Sequence, residues 1–193
     1  AKTAAHNWEL LGGIASYNYT DTPLPFTEQN FCVVYLRQSS PVWDAVLREN
    51  RLAPLADPGH FEGYIESRDI IRYALMHRDE KKIYNLITDQ RPYAMARATV
   101  EVDFMGQHTQ SMTGAAALAR KLGLAVAYLS MRSDRRGHYL LRYTPICQDA
   151  SQLDVRQIMQ QYYTLLEGDI HRQPENYLWS HRRFLRRNNP QTQ

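Results

Sequence analysis

The apolar and polar positions of this chain change period several times, and each change marks an element. Phe31-Cys-Val-Val-Tyr-Leu36 is an unbroken apolar run of strand length, the pattern of a strand covered on both faces. Ile83-Tyr-Asn-Leu-Ile-Thr88 repeats that pattern and ends at Asp89-Gln90. Residues 100–104 alternate, as a half-buried strand should, and residues 124–131 and 139–143 predict two more strands joined by a turn over 132–137. Helical spacing appears at 7–18, through Leu10, Leu11 and Ile14. It returns after Ser40-Pro41, where the serine caps, the proline takes the first position, and Val42/Val46 and Trp43/Leu47 recur four apart. Further helices are predicted over 65–76, with Ile70, Ile71, Ala74 and Leu75 inward, and from Thr113 to Gly123. The longest runs over 154–170, with Ile158, Tyr162, Leu165 or Leu166, and Ile170 on one face, and a last helix carries Tyr177-Leu-Trp-Ser-His-Arg-Arg183.

Strands alternating with helices predict an α/β fold with a mostly parallel central sheet flanked by helices, closed by a C-terminal hairpin and helices. No internal repeat or low-complexity stretch interrupts the 193 residues, so residues 1–193 are expected to form a single domain.

Composition adds three constraints. The apolar share of 44% permits a packed core. Thirteen tyrosines suit a surface or cleft that is partly wet and partly apolar, and Tyr17 and Tyr19 are candidates to line a lipid groove. The net charge of +3 is mild but uneven. Four arginines fall within residues 182–187, and Arg132, Arg135 and Arg136 precede a glycine, clusters suited to phosphates, acidic carrier proteins or anionic headgroups, or to a solvated tail. Cys32 and Cys147 lie in apolar runs and read as small buried hydrophobes. No metal-ligand spacing is present, and His60, His77, His108, His138 and His171 lack ligand-like partners in sequence. No apolar run approaches 18 residues, so any membrane contact is expected to be peripheral.

The blocks that carry chemistry are Asn7-Trp8-Glu9, Val34-Tyr-Leu-Arg37 before the Pro41 helix, Ile87-Thr-Asp-Gln90, Val102-Asp-Phe-Met-Gly106 with Thr113-Gly114, and Arg172-Gln-Pro-Glu-Asn-Tyr-Leu-Trp-Ser-His-Arg-Arg183. In this order and spacing, over about residues 7 to 187, they resemble the bacterial lipid A biosynthesis lauroyl/myristoyl acyltransferases of the lysophospholipid acyltransferase superfamily. The resemblance implies an enzyme that moves a fatty acyl chain from acyl carrier protein or acyl-CoA to a lipid hydroxyl, on a lipid A precursor or lysophospholipid. It implies no cofactor and no metal, and work at the cytoplasmic face of a bacterial inner membrane. It also implies a hydrophobic N-terminal anchor ahead of the catalytic block, absent from this sequence, through which the enzyme meets the membrane surface.

That family carries a His-x4-Asp/Glu motif, its histidine a general base and its acid the group that orients the ring. Glu9 matches the acid. Five positions earlier, where the histidine belongs, stands Ala4, and the nearest histidine is His6. Residues three apart share a helix face, so a His6–Glu9 pair is geometrically possible, though not at the family spacing. Asn7, Trp8, Arg68 and Asp89 are the candidate substrate-binding residues. The plainer readings are an acidic residue in a first helical turn for Glu9, a surface arginine paired with a neighbour for Arg68, and a loop-fixing carboxylate for Asp89. His181, Arg182 and Arg183 are expected to lock the last helix onto the sheet through acidic partners. Two competing functions remain: a non-catalytic lipid- or carrier-protein-binding module that has lost the base, supported by Ala4, and nucleic-acid binding through the terminal arginines. The latter is disfavoured because the Tyr-Leu-Trp pattern reads as folded inward.

Overall fold

The computed structural model describes residues 13–17 (backbone only), 30–53, 55, 57–92, 96, 98–181, 183 and 184. His6, Asn7, Trp8, Glu9, Ala4, Tyr19 and Arg182, and the side chain of Tyr17, lie outside the described residues.

Eight strands and four α-helices are described: β1 (Gly13–Tyr17), β2 (Phe31–Tyr35), α1 (Pro41–Leu52), β3 (Tyr64–Glu66), α2 (Ile70–Met76), β4 (Ile83–Ile87), β5 (Thr99–Phe104), β6 (Gln107–Met112), α3 (Gly114–Leu122), β7 (Ala125–Arg135), β8 (His138–Cys147) and α4 (Val155–Arg172). Six strands form one sheet in the order β3-β2-β4-β1-β7-β8, and β5-β6 is a separate hairpin.

The fold is mixed α/β, but the sheet is parallel only across β3-β2-β4. β1 runs antiparallel to both β4 and β7, which corrects the expectation of a mostly parallel sheet, while β7 and β8 pair antiparallel as the predicted hairpin. The cause is β1. Helical spacing predicted a helix over 7–18, yet Gly13–Tyr17 is a strand inserted between partners some 70 and 110 residues downstream, pairing Ala15 with Asn85 and Ala127. Its direction is set by those neighbours, not by local pattern.

Local signals governed where they were strong. Ser40 caps α1, its hydroxyl accepting from the Trp43 N–H, with Pro41 at the first position. Asp154 and Gln157 form a reciprocal capping box that starts α4. Gly123 closes α3 at φ 61°, where a side chain would be strained. The Phe104-Met105-Gly106-Gln107 connection has positive φ at both central residues, the two-residue turn whose twist matches a hairpin.

Three further expectations are corrected. Residues 64–66 form edge strand β3, and the helix after it is only two turns long, burying Ile70 and Ala74 while Ile71 and Leu75 stay exposed. The 132–137 turn is narrower, because both strands continue to Arg135 and from His138. Among the described residues, the expected C-terminal helix is not formed. After α4 and a single 3₁₀ turn (Pro174–Asn176), residues 177–181, 183 and 184 run as an irregular strap in which the Trp179 indole N–H donates to the Pro174 carbonyl at 2.6 Å.

The core lies on one face of the sheet. Cys32, Val34, Tyr84, Val126 and Tyr128 pack there against α3 and against Ile158, Met159, Tyr162, Tyr163, Leu166 and Ile170 of α4. The opposite face also buries Ile83, Asn85, Ala127 and Leu129. Both cysteines are free, and burial pushes the Cys32 thiol up to about 11. Among the described residues, no helix is long and apolar enough to cross a membrane.

Candidate active-site cleft

The strands β2, β3 and β4 end at one edge of the sheet, and a cleft of about 620 Å³ opens there. This is where open α/β sheets place their ligands, since the chain leaving each strand diverges and leaves a crevice. The volume suits a small-molecule or lipid site. Its floor is apolar, from Val34, Leu86 and Ile87, and its rim polar, from Gln38, Thr88 and Gln90. Arg51, Arg91 and the start of α3 at Thr113-Gly114 complete the wall.

Charge on this wall is positive. Arg51 donates to the Tyr64 hydroxyl at 2.9 Å. Thr113, Gly114 and Ala115 at the start of α3 line the cleft, and a Cβ added at Gly114 would meet nothing within 4 Å. Helix N-termini favour negative charge, so this wall is suited to an anionic group or a developing oxyanion. The Thr113 hydroxyl does not cap α3; it donates to the Ala98 carbonyl at 3.2 Å and ties the helix start to the chain entering β5.

Register connects this cleft to the N-terminal block. Gly13, four residues after Glu9, pairs with Ile87 of the cleft floor on one side and Leu129 on the other. The chain thus joins the sheet at the cleft edge.

Asp89 and Arg68 are placed differently from a pair of substrate contacts. Asp89 is 6% exposed and is not part of the cleft wall, unlike Thr88, Gln90 and Arg91 around it. Its charge acts inward, raising the pKa values of Tyr162 and Tyr177 after burial itself has done so, the latter up to about 12. Arg68 sits on the surface beside cleft residue Ser67, paired with Glu66 at 2.9 Å and Asp69 at 3.6 Å.

Behind the cleft wall the C-terminal strap fixes the turn that leaves β4. Arg183 is 2% exposed. Its guanidinium donates to Tyr163 Oη and Thr109 Oγ1, both at 2.9 Å, and lies over the rings of Tyr163 and Phe104. Tyr163 in turn donates to the Thr88 carbonyl at 3.2 Å. The lock is therefore hydroxyl and aromatic instead of the acidic pairing expected, and it is made by a strap instead of a helix.

His181 Nε2 accepts from the Arg91 backbone N–H at 3.0 Å, which requires that nitrogen to be unprotonated. Burial first, and then the charges of Arg183 and Arg91, hold its pKa below the ordinary histidine value of 6.5. A depressed histidine pKa means the unfolded chain binds the proton more readily, so its contribution is intact at neutral pH and lost as pH falls below the ordinary histidine range. Thermal melts of wild type and His181→Asn across pH 7.5 to about 5 are expected to show a smaller acid-side loss in the variant.

Sequence reasoning missed Arg51 and Arg91 as cleft residues. Arg91 had a signal: it directly follows Asp89-Gln90 at the carboxyl end of a buried strand. Of the histidines read as bland, His60, His77 and His108 pair with Asp57, Glu80 and Asp103. No cluster that could hold a metal ion occurs among the described residues.

Two other hollows are less suited to a substrate. One, between Tyr128, Met131, Leu166 and Tyr177, is about 30 Å³, room for about one water. The other, about 380 Å³ around His60, Glu62 and Lys82, lies at the opposite end of the parallel strands.

The sequence profile of the bacterial lipid A biosynthesis acyltransferases matches residues 64–186. That span takes in the β4 turn, the Phe104-Met105-Gly106 hairpin, the start of α3 and the Arg183 strap, while Asn7-Trp8-Glu9 and the β2 block precede it. No curated protein was found to match the chain. With more than half of its length matched, the chain belongs to the bacterial lipid A biosynthesis acyltransferase family.

Proposed function

We propose that this protein is an O-acyltransferase that moves a fatty acyl chain from the thioester of acyl carrier protein or acyl-CoA to the hydroxyl of a lipid A precursor or lysophospholipid. The observation that carries the reading is the cleft itself: apolar below, cationic along one wall, and next to the strand that begins four residues after Glu9. In this reading His6 takes the proton of the acceptor hydroxyl, Glu9 orients its ring, and Asn7 and Trp8 hold the acceptor beside the pair. The hydroxyl oxygen attacks the thioester carbonyl carbon, and Arg91 and the α3 N–H groups stabilise the oxyanion. The C–S bond then breaks, and the thiolate recovers the proton from the imidazolium. Asp89 holds the turn that aims Arg91, and Arg68 is a rim cation already engaged with two carboxylates. The protein works at the cytoplasmic face of a bacterial inner membrane.

A second reading is favoured by Ala4 at the family's histidine position: a lipid- or carrier-binding module without turnover. One assay separates the two. Radiolabelled acyl carrier protein and acyl-CoA are offered to wild type and to Ala4→His with a panel of lipid A precursors and lysophospholipids. Transfer by wild type supports His6 as the base, and a rise of about tenfold or more in Ala4→His marks a weakened enzyme whose cleft is intact. If neither protein transfers to any acceptor while both bind lipid, the enzymatic reading is wrong and the binding module stands.

A further inference from the structure

One polar side chain lies inside the sheet with nothing to bond. Asn85 is the single amide of β4, whose other residues are Ile83, Tyr84, Leu86 and Ile87. Asparagine is disfavoured in strands, and a strand covered on both faces gives its side chain no water. β4 runs between β2 and β1, so the sheet takes up its backbone groups. Asn85 is 0% exposed, and neither Oδ1 nor Nδ2 has a hydrogen-bond partner among the described residues. A buried amide left unpaired forgoes the bonds it makes with water in the unfolded chain, a cost that leucine, of nearly the same shape, would not carry.

The neighbours of Asn85 connect it to the cleft. Cross-strand partners share a sheet face, and Val33 of β2 stands directly opposite Asn85, their Cβ atoms about 5 Å apart by strand geometry. Ile87, two residues further along β4, is on that same face, and Tyr35 continues it on β2. Val33, Tyr35 and Ile87 all line the cleft. Asn85 is therefore one side chain's breadth from whatever fills the cleft, and roughly 7 Å behind Ile87 along the strand. The residues between it and the polar rim are mainly apolar, and none of the lining residues is acidic.

We propose that Asn85 is a specificity-determining residue that reads a hydroxyl group carried on a hydrocarbon chain bound in the cleft. A primary amide presents N–H donors and a carbonyl acceptor side by side, and a hydroxyl is the small group that both accepts and donates. A plain chain leaves both amide atoms unpaired, so the site discriminates through what that chain fails to satisfy. An anionic group is served elsewhere, at Arg51 and Arg91 on the cleft wall. The inference rests on the acyl-transfer reading only in its choice of chain, which belongs to the acyl donor or to the lipid acceptor.

The test is titration calorimetry on the full chain, without turnover. Acyl-CoA thioesters and lysophosphatidylglycerols are titrated as two separate series, each with a plain dodecanoyl chain or one hydroxylated near its start, middle or end. In at least one series a hydroxylated isomer is expected to bind about tenfold or more tighter than the plain chain, and the series that shows it identifies the donor or the acceptor as the source. In Asn85→Leu the preference is expected to vanish while the plain chain binds at least as well. The variant should also melt at or above the wild-type temperature, because an apolar group replaces an unpaired amide. Should leucine not fit, Asn85→Ala carries the same expectation for the preference. Wild type that binds neither series, or binds no hydroxylated isomer more tightly, overturns the proposal and leaves the amide to a bound water only. So does a preference that survives in both variants. Preference without turnover removes the enzymatic reading and keeps this one; turnover without preference does the reverse.

Discussion

Arg183→Met is expected to lower the melting temperature by about 6–12 °C, the largest stability loss from a single change in the C-terminal strap. Methionine fills similar volume and keeps contact with the Phe104 and Tyr163 rings, so the loss isolates the guanidinium. Two hydrogen bonds from a buried cation disappear, leaving Thr109 Oγ1 and Tyr163 Oη without their donor. Asp89, almost fully buried and acting electrostatically on the same tyrosines, loses a nearby opposing charge. Breaking a buried charged arrangement from one side costs about 3–5 kcal/mol. The lower end applies because Arg183 Nε already has no hydrogen-bond partner, so the wild-type cation is itself incompletely satisfied. About 3 kcal/mol in a domain of this size is worth roughly 2–4 °C per kcal/mol. Arg183→Lys keeps the charge without the planar fork and should fall between. Differential scanning calorimetry decides it: a Met variant melting within about 2 °C of wild type would mean the strap is not anchored through this group.

The strap also shows where sequence pattern stops being informative. Tyr177-Leu-Trp-Ser-His-Arg-Arg183 was expected in a helix, but its partners are distant: Thr109 on β6, Arg91 after β4, Tyr163 on α4. Those contacts offer the buried arginine more than helical hydrogen bonds would, and local spacing carries no trace of them. β1 failed for the same reason, its pairing residues lying far downstream. By contrast, the Ser40-Pro41 start and the Gly123 stop were legible, because each satisfies backbone groups within a few residues. The cleft was half legible. Family blocks pointed at the β4 turn and the α3 start, but Arg51 comes from the far end of α1, and only the fold brings it to the cleft.

Glu9→Ala is expected to reduce acyl transfer about a hundredfold or more, with the KM for either substrate little changed. A lipid hydroxyl is a poor nucleophile until a base removes its proton as the C–O bond forms, and an imidazole with a pKa near neutrality is suited to that step. A carboxylate behind the ring fixes which nitrogen faces the hydroxyl and stabilises the imidazolium as it develops, so its benefit is realised mainly in the transition state and appears in kcat. Glu9→Gln keeps size and one acceptor oxygen but not the charge, and should retain more activity than Ala and less than wild type. The same substitution in the Ala4→His background should cost at least as much, because there the His-x4-Glu spacing is restored and the acid stands where the family places it. His6→Ala separates the two candidate bases: it abolishes transfer if His6 serves, and leaves Ala4→His unaffected if position 4 is the working site. Glu9→Ala turning over at the parental rate in both backgrounds, measured by single-turnover transfer from labelled acyl carrier protein, would remove the acid from the mechanism and leave the cleft without a chemical centre near β1.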